Sequence, residues 1–392
     1  MAKFAFIAGI ARSGTNLIGR MLAQHPSFAV AMDPFLPLLK WFRSAVAQRI
    51  GMPVEPLAPL DDYYFFEGRQ QLMAAVQATR MDIAFDQARW AALQADLEQR
   101  AIHECADLVP HLAQVSAPTY AAMWQAGLDL VAAKRGKDKP AWVGVKELWS
   151  IEFVTHFLRE WPSSKTVLIV RDPRAVVASM LKMGENDASQ QAQILSYLRH
   201  WRKTAAFALT LRASPQADGR FMIVRYEDLV ARPDERAREL CRFFDVPFHP
   251  GMIDASGFWD PSRRSNWQGN SSYATAVSSI DPGLAERWKT YLPEASATLI
   301  DYICGPDMRL FGYQPRGGRL PAIEQLPTRA YLSTYGEPSS WRSDSGDPLL
   351  DLGLEVARRA LLACAERPDA RLIERCFLFE QVFDDLKKVQ AA

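Results

Sequence analysis

The sequence predicts an α/β protein, a parallel sheet flanked by helices, with a large helical insert and a C-terminal helical extension. Three observations carry this. Short apolar runs at residues 4–10, 28–32, 142–145, 166–170 and 221–224 have the length and content of buried strands. Helical patterns separate most of them, which is the βαβ arrangement. With 392 residues and 48% apolar composition, the chain can bury a sizeable core.

The elements follow in order. Residues 4–22 read as strand, tight turn and helix, with Leu17, Ile18, Met21 and Leu22 on one helix face. His25-Pro26 stops that helix, and the strand at 28–32 delivers Asp33-Pro34 at its end. Residues 36–140 are mostly helical, with good helix formers at 85–104 and 120–134. The aromatic clusters Trp41-Phe42 and Tyr63-Tyr64-Phe65-Phe66 read as core, with an acceptor-lining role as the alternative. The strand from Trp142 ends at Lys146, and a helix is expected over 151–161. The strand at 166–170 runs into Arg171-Asp172-Pro173-Arg174, where Asp172 can cap the next helix and Pro173 suits its first turn. A long helix is expected over 188–211 and another over 235–244. Residues 258–273 read as loop, 285–292 and 294–304 as helices, and 348–366 with 371–389 as a helical hairpin. The expected division is one domain over 1–315, with its insert at about 36–140, then a linker and helical extension over 316–392.

Composition bounds the function. A net charge of +1 implies no strong field for nucleic acid or a membrane surface. Cys105, Cys241, Cys304, Cys364 and Cys376 are scattered, which suggests reduced thiols rather than a disulfide frame or zinc site. No signal peptide or transmembrane run is apparent, so the expectation is a cytoplasmic protein without membrane insertion or a metal. The C-terminal helices offer a contact for a homo-oligomer.

The chemistry starts at the first turn. Gly9 and Gly14 flank it as in the nucleotide-triphosphate loop, but Thr15 stands where the lysine would be and Arg12 supplies the cation. A strand–turn–helix of this kind aims backbone N–H groups at one point, making a P-loop-like anion site. Arg12, Ser13, Thr15 and Asn16 add side-chain donors. The alternatives are an ordinary strand–helix turn, or the loop of a nucleotide-dependent small-molecule kinase. Asp33 is placed at a strand end, where open α/β sheets bind ligands; a turn aspartate before proline is the alternative.

RSGT after an N-terminal strand resembles the 5′-phosphosulfate loop of sulfotransferases that use 3′-phosphoadenosine 5′-phosphosulfate (PAPS). Three later segments agree. RDPRAVVAS resembles the family's 3′-phosphate segment, which implies that Arg171 and Ser179 hold that phosphate. RYEDL resembles the segment whose tyrosine, here Tyr226, lies by the adenosine. NWQGNSSY resembles the loop over the cofactor, which implies roles for Asn270, Ser271 and Ser272. Gly14, with Arg12, Ser13, Thr15 and Asn16, would hold the 5′ end.

The pattern is most like carbohydrate and tyrosylprotein sulfotransferases. In those families a glutamate follows the loop arginine by about twenty residues; here Asp33 matches it and would take the acceptor hydroxyl proton. Lys146 and Ser271 resemble residues of the tyrosylprotein enzymes that stabilise the transferring sulfuryl group, and Arg12 would neutralise the leaving phosphate. His103, His111 and His156 fall in no matching segment and read as structural. The resemblance implies PAPS as co-substrate and a hydroxyl-bearing small-molecule or glycan acceptor, first a saccharide, with a lipid, polyketide or tyrosine hydroxyl left open. It leaves open a non-catalytic nucleotide-binding relative.

Overall fold

The computed structural model describes residues 2–136, 139–184, 194–261, 263–269, 279–332 and 347–391. The chain divides into two compact units. The first comprises Met1–Ala58, Ala75–Arg171 and Leu211–Ala285; the second comprises Pro59–Ala74, Asp172–Thr210 and Glu286–Ala392.

The first unit is built on a five-stranded sheet. Its strands are β1 (Lys3–Gly9), β2 (Phe28–Met32), β3 (Trp142–Leu148), β4 (Lys165–Val170) and β5 (Phe221–Arg225). They lie in the order β2-β3-β1-β4-β5 and every pairing is parallel. Burial on both faces explains the near-continuous apolar runs. In register, Ile7 and Met32 both face Lys146 across the sheet. Because all five strands run the same way, their carboxyl ends share one edge. The order reverses at β1, since β2 and β3 lie on one side of it and β4 and β5 on the other. Such a reversal leaves an open crevice beyond the strand ends.

The helices of this unit begin with α1 (Thr15–Gln24) and α2 (Leu36–Arg49), and α3 (Glu67–Ala78) has residues in both units. The insert continues with α4 (Trp90–Ala101) and α5 (Tyr120–Arg135), and α6 (Val154–Glu160) precedes β4. Side chains alternate across a strand, so Phe4 and Phe6 share a face. There they meet Phe157, Trp124 and Trp161, with ring centroids 4.6 Å apart for Phe6–Phe157 and 4.7 Å for Trp124–Phe157. Offset and edge contacts of this kind add to simple burial. Trp41 and Phe42 are buried too, with Trp41 Nε1 donating to Asp96 at 2.7 Å, so this cluster is core.

In the second unit α7 (Pro173–Gly184) starts as expected, with Arg174 N–H donating to Asp172 Oδ1 at 2.9 Å. After α8 (Ile194–Ala213), the chain forms α9 (Tyr226–Ala231) and α10 (Pro233–Phe244) in the first unit. There follow α11 (Trp288–Tyr291), α12 (Glu294–Arg309) and α13 (Thr328–Leu332), then α14 (Pro348–Ala363), α15 (Ala370–Phe377) and α16 (Glu380–Ala391). The Tyr63-Tyr64-Phe65 cluster is buried beneath Lys203, Arg202 and Arg199, whose cations lie 5.4, 4.6 and 5.0 Å from the respective rings. Cation–π contact keeps those buried charges matched.

Three details differ from the sequence expectation. The expected loop at 258–273 holds a small antiparallel ribbon, β6 (Trp259–Asp260) with β7 (Ser265–Asn266). The last helix of the hairpin is two helices, because Leu378 takes a left-handed backbone (φ 67°). The strand expected to end at Lys146 continues to Leu148, which places Lys146 inside the sheet. Among the described residues, no helix is long and apolar enough to cross a membrane.

Candidate active site

The edge formed by the strand ends gathers most of the residues singled out in the sequence. Arg12–Asn16 follow β1, Asp33 follows β2, Lys146 and Glu147 lie among the last three residues of β3, Arg171 follows β4 and Tyr226 follows β5. All belong to the first unit.

The loop after β1 is shaped by backbone. Arg12 and Gly14 both take positive φ, at 66° and 100°. Gly14 is the N-cap of α1 and no side chain caps the helix there. The first-turn N–H groups therefore face the loop, where an anion can bind them. A Cβ at Gly14 would strike the Tyr226 ring, so glycine is required by both the dihedral and the close approach. Ser13 is buried and donates from Oγ to the Ile10 carbonyl at 2.7 Å, which tightens the turn. Thr15 and Asn16 are also buried.

Arg171 closes the other side. It donates from Nη1 to the Arg12 carbonyl at 2.9 Å and from Nη2 to the Leu284 carbonyl at 3.0 Å. Its guanidinium lies over the Tyr226 ring, 4.2 Å from the centroid. Burial pushes the Tyr226 phenol up, with Arg171 opposing. One arginine thus ties together the β1 loop, the β4 end and the tyrosine after β5. Ser179 is buried in α7 of the second unit. Asn270, Ser271 and Ser272 lie outside the described residues.

The second centre is a carboxylate among cations. Asp33 is buried and left-handed (φ 54°), and its N–H donates to the Lys146 carbonyl at 2.7 Å. The Lys146 ammonium donates to Asp33 Oδ2, and Arg100 Nη2 of α4 lies 3.1 Å from Oδ1. Burial alone would raise this carboxyl, but Lys146 and Arg100 outweigh it and hold it below the usual range. Glu147, fully buried, accepts from the Phe35 N–H and so fixes the Asp33-Pro34-Phe35 turn. Burial first, and then the Asp33 charge, push Glu147 up to about 8. Behind β2, the Cys105 thiol donates to the Met32 carbonyl at 3.0 Å and Arg135 donates to the Val30 carbonyl at 2.8 Å. The insert therefore grips the strand that presents Asp33.

Sequence reasoning missed Arg100, Glu147, Cys105 and Arg135. Glu147 had a signal, since two adjacent charges in a buried parallel strand are unusual. Arg100 had none, because a charged residue in a helix of this composition reads as solvated. Of the histidines, His156 is buried with Nε2 on the Val76 carbonyl at 2.8 Å, and His103 is exposed.

A model described as the sulfotransferase family matches residues 5–250. The chain belongs to the sulfotransferase family. The match covers the five-stranded sheet from Ala5 onward and every described residue of the site except Leu284. Human carbohydrate sulfotransferase 3 is 31% identical over 166 residues, 38% of this chain and 33% of that protein. Human carbohydrate sulfotransferase 6 is 22% identical over 334 residues, 78% of this chain and 79% of that one. The protein-tyrosine sulfotransferase of Drosophila melanogaster is 23% identical over 225 residues, 56% and 41% of the two chains. The match thus spans about a third of human carbohydrate sulfotransferase 3. Among solved structures, the sulfotransferase domain of the Synechococcus PCC 7002 olefin synthase aligns over 80% of this chain and 97% of its own, with 20% identity and a TM-score of 0.46. Membership in the sulfotransferase family sets the kinase alternative aside.

Proposed function

We propose that this sulfotransferase-family enzyme moves a sulfuryl group from PAPS to an acceptor hydroxyl, with Asp33 as the base and a saccharide as the acceptor. The observation that carries the reading is the shared sheet edge. An anion loop at the β1 end and a carboxylate–lysine pair at the β2 and β3 ends meet the two needs of the reaction, a held phosphosulfate and a proton acceptor. Names of relatives support the saccharide, since two of those described are carbohydrate sulfotransferases.

PAPS would supply the sulfuryl group. The residues fitted to it are Arg12, the backbone of Gly14 and the first turn of α1 at its 5′ end, Arg171 at the 3′-phosphate and Tyr226 by the adenosine. Ser179 is assigned to the 3′-phosphate by motif. The donor set suits phosphate groups: a helix N-terminus, two arginines and a ring already stacked on one of them. Asp33 orients the acceptor hydroxyl and takes its proton. Lys146 stands beside that carboxylate, where its charge can also meet the sulfuryl oxygens.

Calorimetric binding of adenosine 3′,5′-bisphosphate against ADP and ATP is the first test. Preference for the bisphosphate is the expected result, and equal or tighter ATP binding would overturn the donor. With labelled PAPS and a saccharide panel, Asp33→Asn should lose transfer by about two orders of magnitude or more, yet bind the bisphosphate as wild type does. Undiminished transfer would remove Asp33 from the mechanism. Bisphosphate binding with no turnover by wild type on any acceptor would favour a non-catalytic relative.

A further inference from the structure

The two cations on Asp33 differ in their freedom to move. Lys146 lies inside β3 with its side chain 1% exposed, while the side chain of Arg100 is 23% exposed. Arg100 meets Asp33 as an ion pair, with Nη2 3.1 Å from Oδ1, whereas the Lys146 ammonium donates to Oδ2. Arg100 also has two carboxylates besides Asp33 in its field, Glu147 and Glu104. Against burial, Asp33, Glu147 and Glu104 all favour its charged form. Glu104 lies four residues on, just past the end of α4, and pairs with Arg20 at 3.5 Å. The other titratable groups facing Asp33 are Glu147 of β3 and the Cys105 thiol behind β2.

We propose that Arg100 covers, in the acceptor-free protein, the face of Asp33 that the acceptor hydroxyl takes in the reaction, and turns to Glu104 when the acceptor enters. The proposal rests on the reading of Asp33 as base. In the transfer step the acceptor oxygen bonds to sulfur as the bond from sulfur to the 5′-phosphate oxygen breaks. The hydroxyl proton passes to Asp33 Oδ1 and the electron pair leaves with the bisphosphate. Oδ1 must therefore be exposed to the acceptor, and Arg100 is the group that stands there. Lys146 stays on Oδ2 throughout. Arg100 acts through Asp33 and is a positioning residue.

The test is a carbon-13 titration of the aspartate carboxyls, without substrates, in wild type, Arg100→Met and Arg100→Lys. Asp33→Asn identifies the signal by its loss. In Arg100→Met the Asp33 midpoint should rise by about one pH unit or more, the effect of removing one adjacent arginine. It should stay near wild type in Arg100→Lys. The acid limb of kcat/KM for the acceptor should move with it, which a merely structural residue would not cause. Glu104→Gln, which removes the second partner, should raise the acceptor KM several-fold with kcat unchanged. Arg100→Gln replaces Arg100→Met if the latter fails to fold.

An unchanged Asp33 midpoint in a folded variant lacking the Arg100 charge would overturn the proposal, and so would an unchanged acceptor KM in Glu104→Gln. Wild-type turnover by Asp33→Asn would instead remove the base assignment itself. The two failures are distinguishable, because the titration is read without turnover.

Discussion

Lys146 and Glu147 are consecutive residues of one buried strand, so the sheet directs them to opposite faces, and each then meets a different part of the same turn. Lys146 takes the Asp33 carboxylate and Glu147 takes the Phe35 N–H. Glu147 is held at about 8 against an ordinary 4.5, by burial and by the neighbouring Asp33 charge. Between these values the folded chain keeps a proton that the unfolded chain has released. Stability therefore falls as pH rises across that window. Glu147→Gln keeps an acceptor for Phe35 but cannot ionise. Its thermal midpoint should fall less than that of wild type between about pH 5 and pH 8. His156, held down to about 4 by burial and by Arg159, has the opposite slope between 4 and its ordinary 6.5. It is present in both proteins, so the difference between them isolates Glu147. Parallel curves for the two proteins in a pH series of thermal melts would show that Glu147 does not titrate there.

At the scale of elements, the strand–turn–helix at the start of the chain needs one residue without a side chain. Gly14→Ala places a methyl group against Tyr226 and demands a left-handed backbone of a residue that disfavours it by about 1–2 kcal/mol. Binding of adenosine 3′,5′-bisphosphate should weaken more than tenfold, with the circular dichroism of the sheet and helices retained. Affinity equal to wild type would place the anion elsewhere. This element was the most legible part of the sequence, because an apolar run, two spaced glycines and an amphipathic helix are local signals. The five strands and Asp33, Arg171 and Tyr226 were legible for the same reason, since each follows a run that ends in polar residues. Arg100 and Cys105 were not. They reach Asp33 and Met32 from residues nearly seventy positions away or more, and no local pattern encodes such a contact. The ribbon of β6 and β7 was hidden as well, because each strand has only two residues among turn formers.

For the whole molecule, the second unit is held by buried charges that lie from 51 to 156 residues apart in the sequence. On α8, Arg199 pairs with Asp351 at 2.9 Å and with Glu355 at 3.3 Å, and Arg202 reaches the two Glu355 oxygens at 2.7 and 2.9 Å. On α14, Arg358 takes Asp307 of α12 at 3.0 and 3.1 Å, and α12 packs on α7, which carries Ser179. None of these groups is more than 1% exposed at its side chain. Burial would raise Glu355, but Arg202 and Arg199 outweigh it and keep the carboxyl below its usual range. Removing one partner of such a network strands a buried charge, at a cost of about 3–5 kcal/mol. Glu355→Ala should lose that much in denaturant unfolding. Glu380→Ala, which breaks the half-exposed pair with Arg367, should lose at most about 1 kcal/mol. Equal losses for the two variants would mean that the C-terminal helices are held by apolar contact alone. The larger loss in Glu355→Ala would make the segment after 346 a structural part of the unit that presents Ser179, although the family match ends at residue 250.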